Sequence, residues 1–247
     1  MAEQKNKEML GKLGKPSMIF GWGQGKRFTL VKKHLDFKGK KILDVGCGLG
    51  MYSQEFSQEG ALVFGIDVDG KKIEQAKGLF PKINFQTAGA EKIPFANNSF
   101  DLVFLHEVLE HVKDEEKTIK EIVRVLKTGG RLILFVPNRW FPFETHGLYL
   151  GKKYIFGNIP LLNWLPNKLR NIFAPHVRTY TAKRLKSLLE KRGLEIKLVD
   201  FVWPAFDRIE RKFSLPGRML KAIAGFAEKN RFLKKLGISI FLIARKK

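Results

Sequence analysis

The sequence predicts an α/β fold, a doubly wound and mostly parallel sheet of seven strands. Three observations predict it. Short apolar runs alternate with amphipathic segments, a glycine-rich turn closes the first run, and a carboxylate ends the second about twenty residues later. Strands separated by helices must run parallel, because each crossover returns the chain to the same edge.

Residues 1–36 form a basic, glycine-spotted leader, with a short helix expected over Arg27–Leu35. Ile19-Phe20-Gly21-Trp22-Gly23 breaks its charged pattern, and Trp22 is expected to pack on the core. Strands are expected at Lys41–Val45, Leu62–Ile66, Asn84–Thr87, Leu102–Leu105 and Arg131–Val136. Helices are expected between them at Met51–Gln58, Lys71–Leu79 and Glu116–Val125. Lys127-Thr128-Gly129-Gly130 reads as the glycine-rich stop of the last helix. The main domain covers 37–247 and carries an inserted cap at 138–178, after strand five. Pro142, Pro160, Pro166 and Pro175 rule out one long regular element there, leaving one or two short helices around Leu161–Phe173. Thr181 is the N-cap of a helix over Ala182–Lys191, which Gly193 closes. Glu195–Phe201 and Ser239–Ala244 are late strands, expected to pair antiparallel at the sheet edge, with basic helix between Phe206 and Lys235.

The charge balance is strongly basic, with 46 Lys and Arg against 24 Asp and Glu, a formal net charge of +22. Such a surface attracts nucleic acid, anionic membrane or acidic small molecules without choosing among them, and an ordinary basic enzyme fits it equally. Cys47 is the one cysteine, which excludes an internal disulfide and a cysteine-built zinc site. No apolar run reaches the roughly 20 residues needed to span a bilayer, and Met1–Lys15 lacks the pattern of a signal peptide. A cytoplasmic location is expected.

The ligand signal is Leu43-Asp44-Val45-Gly46-Cys47-Gly48-Leu49-Gly50, followed by Gly65-Ile66-Asp67-Val68-Asp69. Glycines without Cβ atoms let the backbone turn tightly and approach a ligand, and a carboxylate on the next strand can accept ribose hydroxyls. The turn lacks the lysine of a phosphate-binding loop. Gly46, Gly48 and Gly50 are spaced by two, and Met51 stands where a dinucleotide fingerprint wants its later glycine. Both departures argue against a dehydrogenase.

Three segments in order resemble class I S-adenosylmethionine-dependent methyltransferases, in the ubiquinone-biosynthesis-like branch. They are Leu43–Gly50, Ala90-Glu91-Lys92-Ile93-Pro94-Phe95-Ala96-Asn97-Asn98-Ser99-Phe100-Asp101, and Arg124–Leu132. The resemblance implies the seven-stranded sheet of that class, S-adenosyl-L-methionine as cofactor, and methyl transfer to an oxygen or activated carbon atom. Position by position, it implies that Gly46, Cys47 and Gly48 cradle the methionine part and that Asp44 orients the loop or meets the amino group through water. Asp67 would take the ribose hydroxyls, Ile66 and Val68 would flank the adenosine, and Ala90, Glu91 and His106 would complete the cofactor set. Gly89 stands where the family often has an adenine-binding aspartate.

Strand four runs into Leu105-His106-Glu107-Val108-Leu109-Glu110-His111-Val112, unusually rich in ionisable groups for a strand end. If the segment is helical, Glu107 and His111 share a face with Glu110 beside them. Such a trio suits a divalent cation such as Mg2+, or offers His111 as a general base with a carboxylate to orient it. It also resembles the Glu-x-x-Glu-His metal element of the ubiquinone branch. His146 and His176 in the insertion are candidates to contact the acceptor, and Arg178 to pair with an acidic group on it. Trp140, Phe141, Phe143, Tyr149, Tyr154, Phe156, Trp164 and Phe173 supply apolar surface, with Lys152, Lys153, Lys168 and Arg170 expected to ring it. Apolar area with a basic rim suits a hydrophobic acceptor at an anionic membrane surface, with peripheral membrane contact, and equally a packed cap over a small aromatic substrate. A small or lipid-like acceptor is expected. An RNA acceptor is the rival, favoured by charge but unsupported by any recognition module. A non-catalytic methyltransferase-like binding protein is the third reading.

Overall fold

The computed structural model describes residues 22–247, so Ile19 to Gly21 and the side chain of Trp22 lie outside the described residues. Helix α1 (Trp22–Lys32) starts and ends earlier than expected. It is followed by β1 (Lys41–Val45), α2 (Met51–Gln58), β2 (Leu62–Asp67), α3 (Gly70–Leu79), β3 (Asn84–Thr87), β4 (Phe100–His106), α4 (Glu115–Val125) and β5 (Leu126–Pro137). The insertion holds β6 (Phe143–Glu144), β7 (Leu148–Leu150), β8 (Lys153–Ile155), β9 (Ile159–Pro160), a 3-10 turn at Leu162–Trp164 and α5 (Asn167–Phe173). Then come α6 (Ala182–Glu190), β10 (Leu194–Val202), α7 (Asp207–Lys212), α8 (Ser214–Lys229), a 3-10 turn at Leu233–Leu236 and β11 (Ser239–Lys246).

One seven-stranded sheet has the order β10-β11-β5-β4-β1-β2-β3 and is mostly parallel. β1 pairs in parallel with both β2 and β4, and β2 with β3, so each pairing skips a helical crossover. This arrangement sends the chain ends of β1, β2 and β4 to one edge, where open α/β sheets bind their ligands.

The chain divides into two compact units. One comprises residues up to Leu105 with Lys120–Leu132 and Lys246; the other comprises His106–Ile119, Ile133–Arg245 and Lys247. In the first, Phe56 lies edge-on to Phe28, Phe37 and Phe104, with ring centroids 5.2, 5.0 and 5.1 Å away. Each such pair contributes about 0.5–1.5 kcal/mol beyond burial, and Phe28 ties α1 into this core. The guanidinium of Arg124 donates to the carbonyls of Ile93 and Phe95 at 2.8 and 2.7 Å, while Glu121 accepts from the Ile93 amide at 2.9 Å. These bonds hold the 90–98 loop in place.

In the second unit Phe135 stacks on Phe241 at 4.8 Å. Its insertion pairs β6 with β9 and β7 with β8, both antiparallel, and packs Leu162, Ala174 and Val177 together.

Three sequence expectations need correction. β5 begins at Leu126, so Lys127–Gly130 belong to the strand and Gly129, at φ 78°, supplies a local kink rather than a helix stop. The expected basic helix over Phe206–Lys235 breaks at Phe213 (φ −139°, ψ 90°) and again at Asn230 (ψ 124°), both extended. Arg170 is buried, not part of a rim. Among the described residues no helix is long and apolar enough to cross a membrane.

Candidate active site

In the first unit the turn after β1 is a glycine bend. Gly46, Gly48 and Gly50 all have positive φ, at 73°, 55° and 78°. A Cβ at Gly50 would sit 2.5 Å from Phe85 Cζ, so that glycine is required by packing. A Cβ at Gly48 would meet nothing within 4 Å, so Gly48 borders open space into which a ligand can fit. The amides of Gly46 and Cys47 both donate to the Ile66 carbonyl, at 2.7 and 3.0 Å. Asp67 accepts from the Gly48 amide through Oδ2 and from the Asp69 amide through Oδ1, each at 2.9 Å. Its carboxylate thus joins the glycine turn to the start of α3.

Asp44 is buried and accepts from Ser53 Oγ at 2.6 Å. Burial pushes its carboxyl up to about 7, against the Ser53 hydrogen bond, and the neighbouring Asp67 adds to the rise. Burial, then Asp44 and Asp67, push the Cys47 thiol up as well, so it stays protonated and serves as a small packing group. Val68 is an exposed apolar side chain at the end of β2, whereas Ile66 is fully buried. Ile66 therefore serves the turn through its carbonyl, a correction to the expectation that its side chain flanks an adenosine. Ala90 is buried beside Gly89, where an added Cβ would make ordinary contacts with Glu91 Oε2 at 3.5 Å and Val68 Cγ1 at 3.6 Å. Two carboxylates, an open glycine bend and an exposed valine fit a cationic adenosyl ligand.

The second unit gathers the ionisable groups. His106 closes β4, its ring 5.4 Å from Phe135. Glu107 then adopts φ 56°, a left-handed conformation rare outside glycine, and accepts from Ser239 Oγ at 2.8 Å. Glu110 is 1% exposed. Burial first, then Glu107, push its carboxyl well above its ordinary value.

His111 places Nδ1 3.3 Å from the His176 carbonyl and Nε2 3.9 Å from Glu110 Oε1. Bonding to that carbonyl assigns the proton to Nδ1 and leaves the Nε2 lone pair available. Burial and the nearby His146 hold the imidazole below its usual range, so it is neutral at pH 7. His146 stands T-shaped to His111 with centroids 5.3 Å apart, and Glu144 Oε1 accepts from its Nδ1 at 2.9 Å. His176 places Nε2 3.2 Å from the His146 carbonyl, and its ring lies edge-on to Tyr149 and Tyr154. The insertion and the segment after β4 therefore share one histidine cluster.

The residues that could hold a metal ion differ from those read from the sequence. The three donors that lie within 4.8 Å of one another are Glu110, His111 and His146; Glu107 is outside this group and bonds Ser239. Arg178 is also corrected, since its guanidinium donates to the carbonyls of Val112 and Lys113 and its amide to that of Glu110. With Tyr180 Oη donating to the Leu109 carbonyl at 3.1 Å, it fastens the 176–180 segment to the 109–113 segment.

The residue that sequence reasoning missed is Glu144. Its Oε2 accepts from Arg170, and Arg170 in turn donates to the Val177 carbonyl at 2.8 Å. Burial pushes the Glu144 carboxyl up, but the bonds from His146 and Arg170 outweigh it and hold the group at about 2. The available signal was that Glu144 is the one acidic residue between Asn138 and Arg178, two positions before a histidine.

A family model described as a methyltransferase domain matches residues 43–134. A ubiquinone biosynthesis O-methyltransferase from Coxiella burnetii is 33% identical over 138 residues, covering 54% of this chain and 58% of that relative. A tRNA U34 carboxymethyltransferase from Desulfotalea psychrophila is 31% identical over 171 residues, covering 61% of this chain and 53% of the relative. The chain thus spans less than two thirds of the length of these curated relatives. Among solved structures, an S-adenosylmethionine-dependent methyltransferase from Mesorhizobium loti superimposes with a TM-score of 0.64 at 20% identity, covering 91% of this chain and 99% of that one.

Proposed function

We propose that this chain, which carries a class I S-adenosylmethionine-dependent methyltransferase domain, moves a methyl group to an oxygen or activated carbon of a small or lipid-like acceptor. The observation that carries the reading is the pairing of the open Gly48 bend with Asp44 and Asp67 in the first unit, and in the second a histidine cluster with a neutral, oriented imidazole. The curated relatives named for ubiquinone biosynthesis support a small acceptor.

S-adenosylmethionine, when bound, supplies an electrophilic methyl on a sulfonium with a good leaving group. The chain's contribution is position, exclusion of water and one proton. Gly46, Cys47 and Gly48 would line the donor's methionine end, Asp67 would accept its ribose hydroxyls, Val68 would lie against its adenine, and Ala90 and Glu91 would complete the set. His111 takes the acceptor's proton on Nε2, with the His176 carbonyl fixing its ring. His146, oriented by Glu144, and His176 hold the acceptor, while Glu110, 3.9 Å from His111 Nε2, and Glu107 set the charge around that ring.

Asp44 gives this reading a pH signature. The site has a neutral acid below about 7 and a carboxylate above it, facing Asp67 with Ser53 as donor. A cationic donor molecule favours the carboxylate, so binding expels a proton. Its dissociation constant should fall by up to about tenfold per pH unit from pH 5 towards 7, then level off. Calorimetry in buffers of different ionisation enthalpy reads both the affinity and the released proton. A flat profile across that range would remove Asp44 from the site.

A second reading adds a divalent ion such as Mg2+ at Glu110, His111 and His146, favoured by their mutual approach within 4.8 Å. One screen decides among the readings: labelled methyl donor with phenols, quinone precursors, lipids and tRNA, each with and without a chelator. Transfer to a small acceptor that survives chelation is the expected result. Loss on chelation would put the ion in the site, and transfer to tRNA alone would overturn the small-acceptor reading.

A further inference from the structure

Helix α8 is built inside out. At about 100° per residue, Leu215, Met219, Ile223 and Phe226 fall within an arc of about 80°, and they are 69%, 59%, 56% and 65% exposed. The buried positions are instead the smallest residues, Gly217, Ala224 and Ala227. A Cβ at Gly217 would lie 2.1 Å from Glu210 Cα, so the inward face of the helix depends on having almost no side chain. A helix in a water-soluble domain turns its large apolar residues inward. Here four of them form a stripe facing solvent, and Phe213 and Phe232 extend it beyond both helix ends, at 54% and 76% exposed.

Basic residues border the stripe. Arg218 and Lys229 are exposed along one flank of α8, with Lys212, Arg231 and Lys235 exposed beyond its ends. Residues 207–235 hold nine Lys and Arg against three Asp and Glu. An apolar face bordered by cations is the construction of a helix that lies in the interfacial plane of a bilayer, side chains among the acyl chains and charges among the headgroups. Charge also selects the occupant. A second copy of a chain with net charge +22 would bring cation to cation, whereas an anionic lipid surface brings the opposite sign. A phosphate backbone would use the charges but leave the apolar stripe wet.

We propose that α8 seats this protein on anionic membranes, inserting Leu215, Met219, Ile223 and Phe226 while Arg218 and Lys229 engage lipid headgroups. The inference stands on this helix alone and is independent of the acceptor assigned above.

Cosedimentation of the full chain with vesicles of phosphatidylglycerol and phosphatidylcholine, against phosphatidylcholine alone, tests it. The expected result is binding to the anionic vesicles only. Ile223→Asp with Phe226→Asp should lower the partition at least about tenfold, and Arg218→Glu with Lys229→Glu similarly. In a Phe226→Trp protein, which needs no disruptive change, emission should shift to the blue on adding anionic vesicles. Failure of the wild-type chain to bind, or apolar variants that bind as wild type, would overturn the proposal. So would an unshifted Trp emission, or variants that merely dissolve a dimer in sedimentation velocity while vesicle binding persists.

Discussion

Replacing His111 with alanine is expected to lower turnover by about 10²- to 10⁴-fold while leaving the affinity for the methyl donor within about twofold of wild type. The size follows from the role, because a positioned base is worth that much when the acceptor must lose a proton as it attacks. The role follows from geometry: Nδ1 is engaged by the His176 carbonyl at 3.3 Å, and the ring is held neutral by burial and by His146. Donor affinity is spared because the proposed donor residues lie on the turns after β1 and β2, whereas His111 follows β4. His146→Ala should cost less, since its Nδ1 is bonded to Glu144 and its part is to hold the acceptor. Steady-state kinetics beside calorimetric titration of the donor separates the two. An alanine variant with undiminished turnover would leave His111 as a structural residue.

The glycine bend and its carboxylate partner were legible because their signals are local. A glycine turn, a strand-end carboxylate and their spacing lie within 24 residues, from Asp44 to Asp67, and parallel pairing of β1 and β2 brings the Gly48 amide to the Asp67 carboxylate. The strands at the centre of the sheet, β1 and β4, were legible for the same reason, since each is a short, nearly continuous apolar run, the mark of a parallel strand covered on both faces. What could not be read depends on distant partners. Arg170 resembles a solvated cation until Glu144, 26 residues earlier, arrives to neutralise it. The small sheets of the insertion are two- and three-residue strands, too short for any periodicity. The residues that could hold a metal ion differ because His146 approaches from the insertion, whereas the sequence offered only residues on one presumed helical turn. Ile66 showed the opposite failure: adjacency to Asp67 suggested ligand contact, but its side chain is fully buried in the core.

Arg170→Met should destabilise the second unit by about 3–5 kcal/mol, the cost of leaving one buried charge without its partner. Arg170 and Glu144 have side chains only 2% and 1% exposed, so neither can recruit water once the other is gone. The change also strands the Val177 carbonyl and the Asn163 side chain, both of which accept from the guanidinium. Adding Glu144→Gln to Arg170→Met removes the orphaned charge and should recover part of the loss. Acid should reproduce the effect in the wild type. A carboxyl held at about 2, below its ordinary value, contributes stability that is complete above roughly pH 4.5 and is lost as pH falls through about 2. Because Glu144 also orients His146, the loosened insertion should raise the Michaelis constant for the acceptor more than that for the donor. Amide exchange and limited proteolysis across residues 143–177, with urea unfolding of both variants, measure the loss where it is predicted. A single Arg170 variant as protected there as wild type would show that this buried pair does not hold the insertion together.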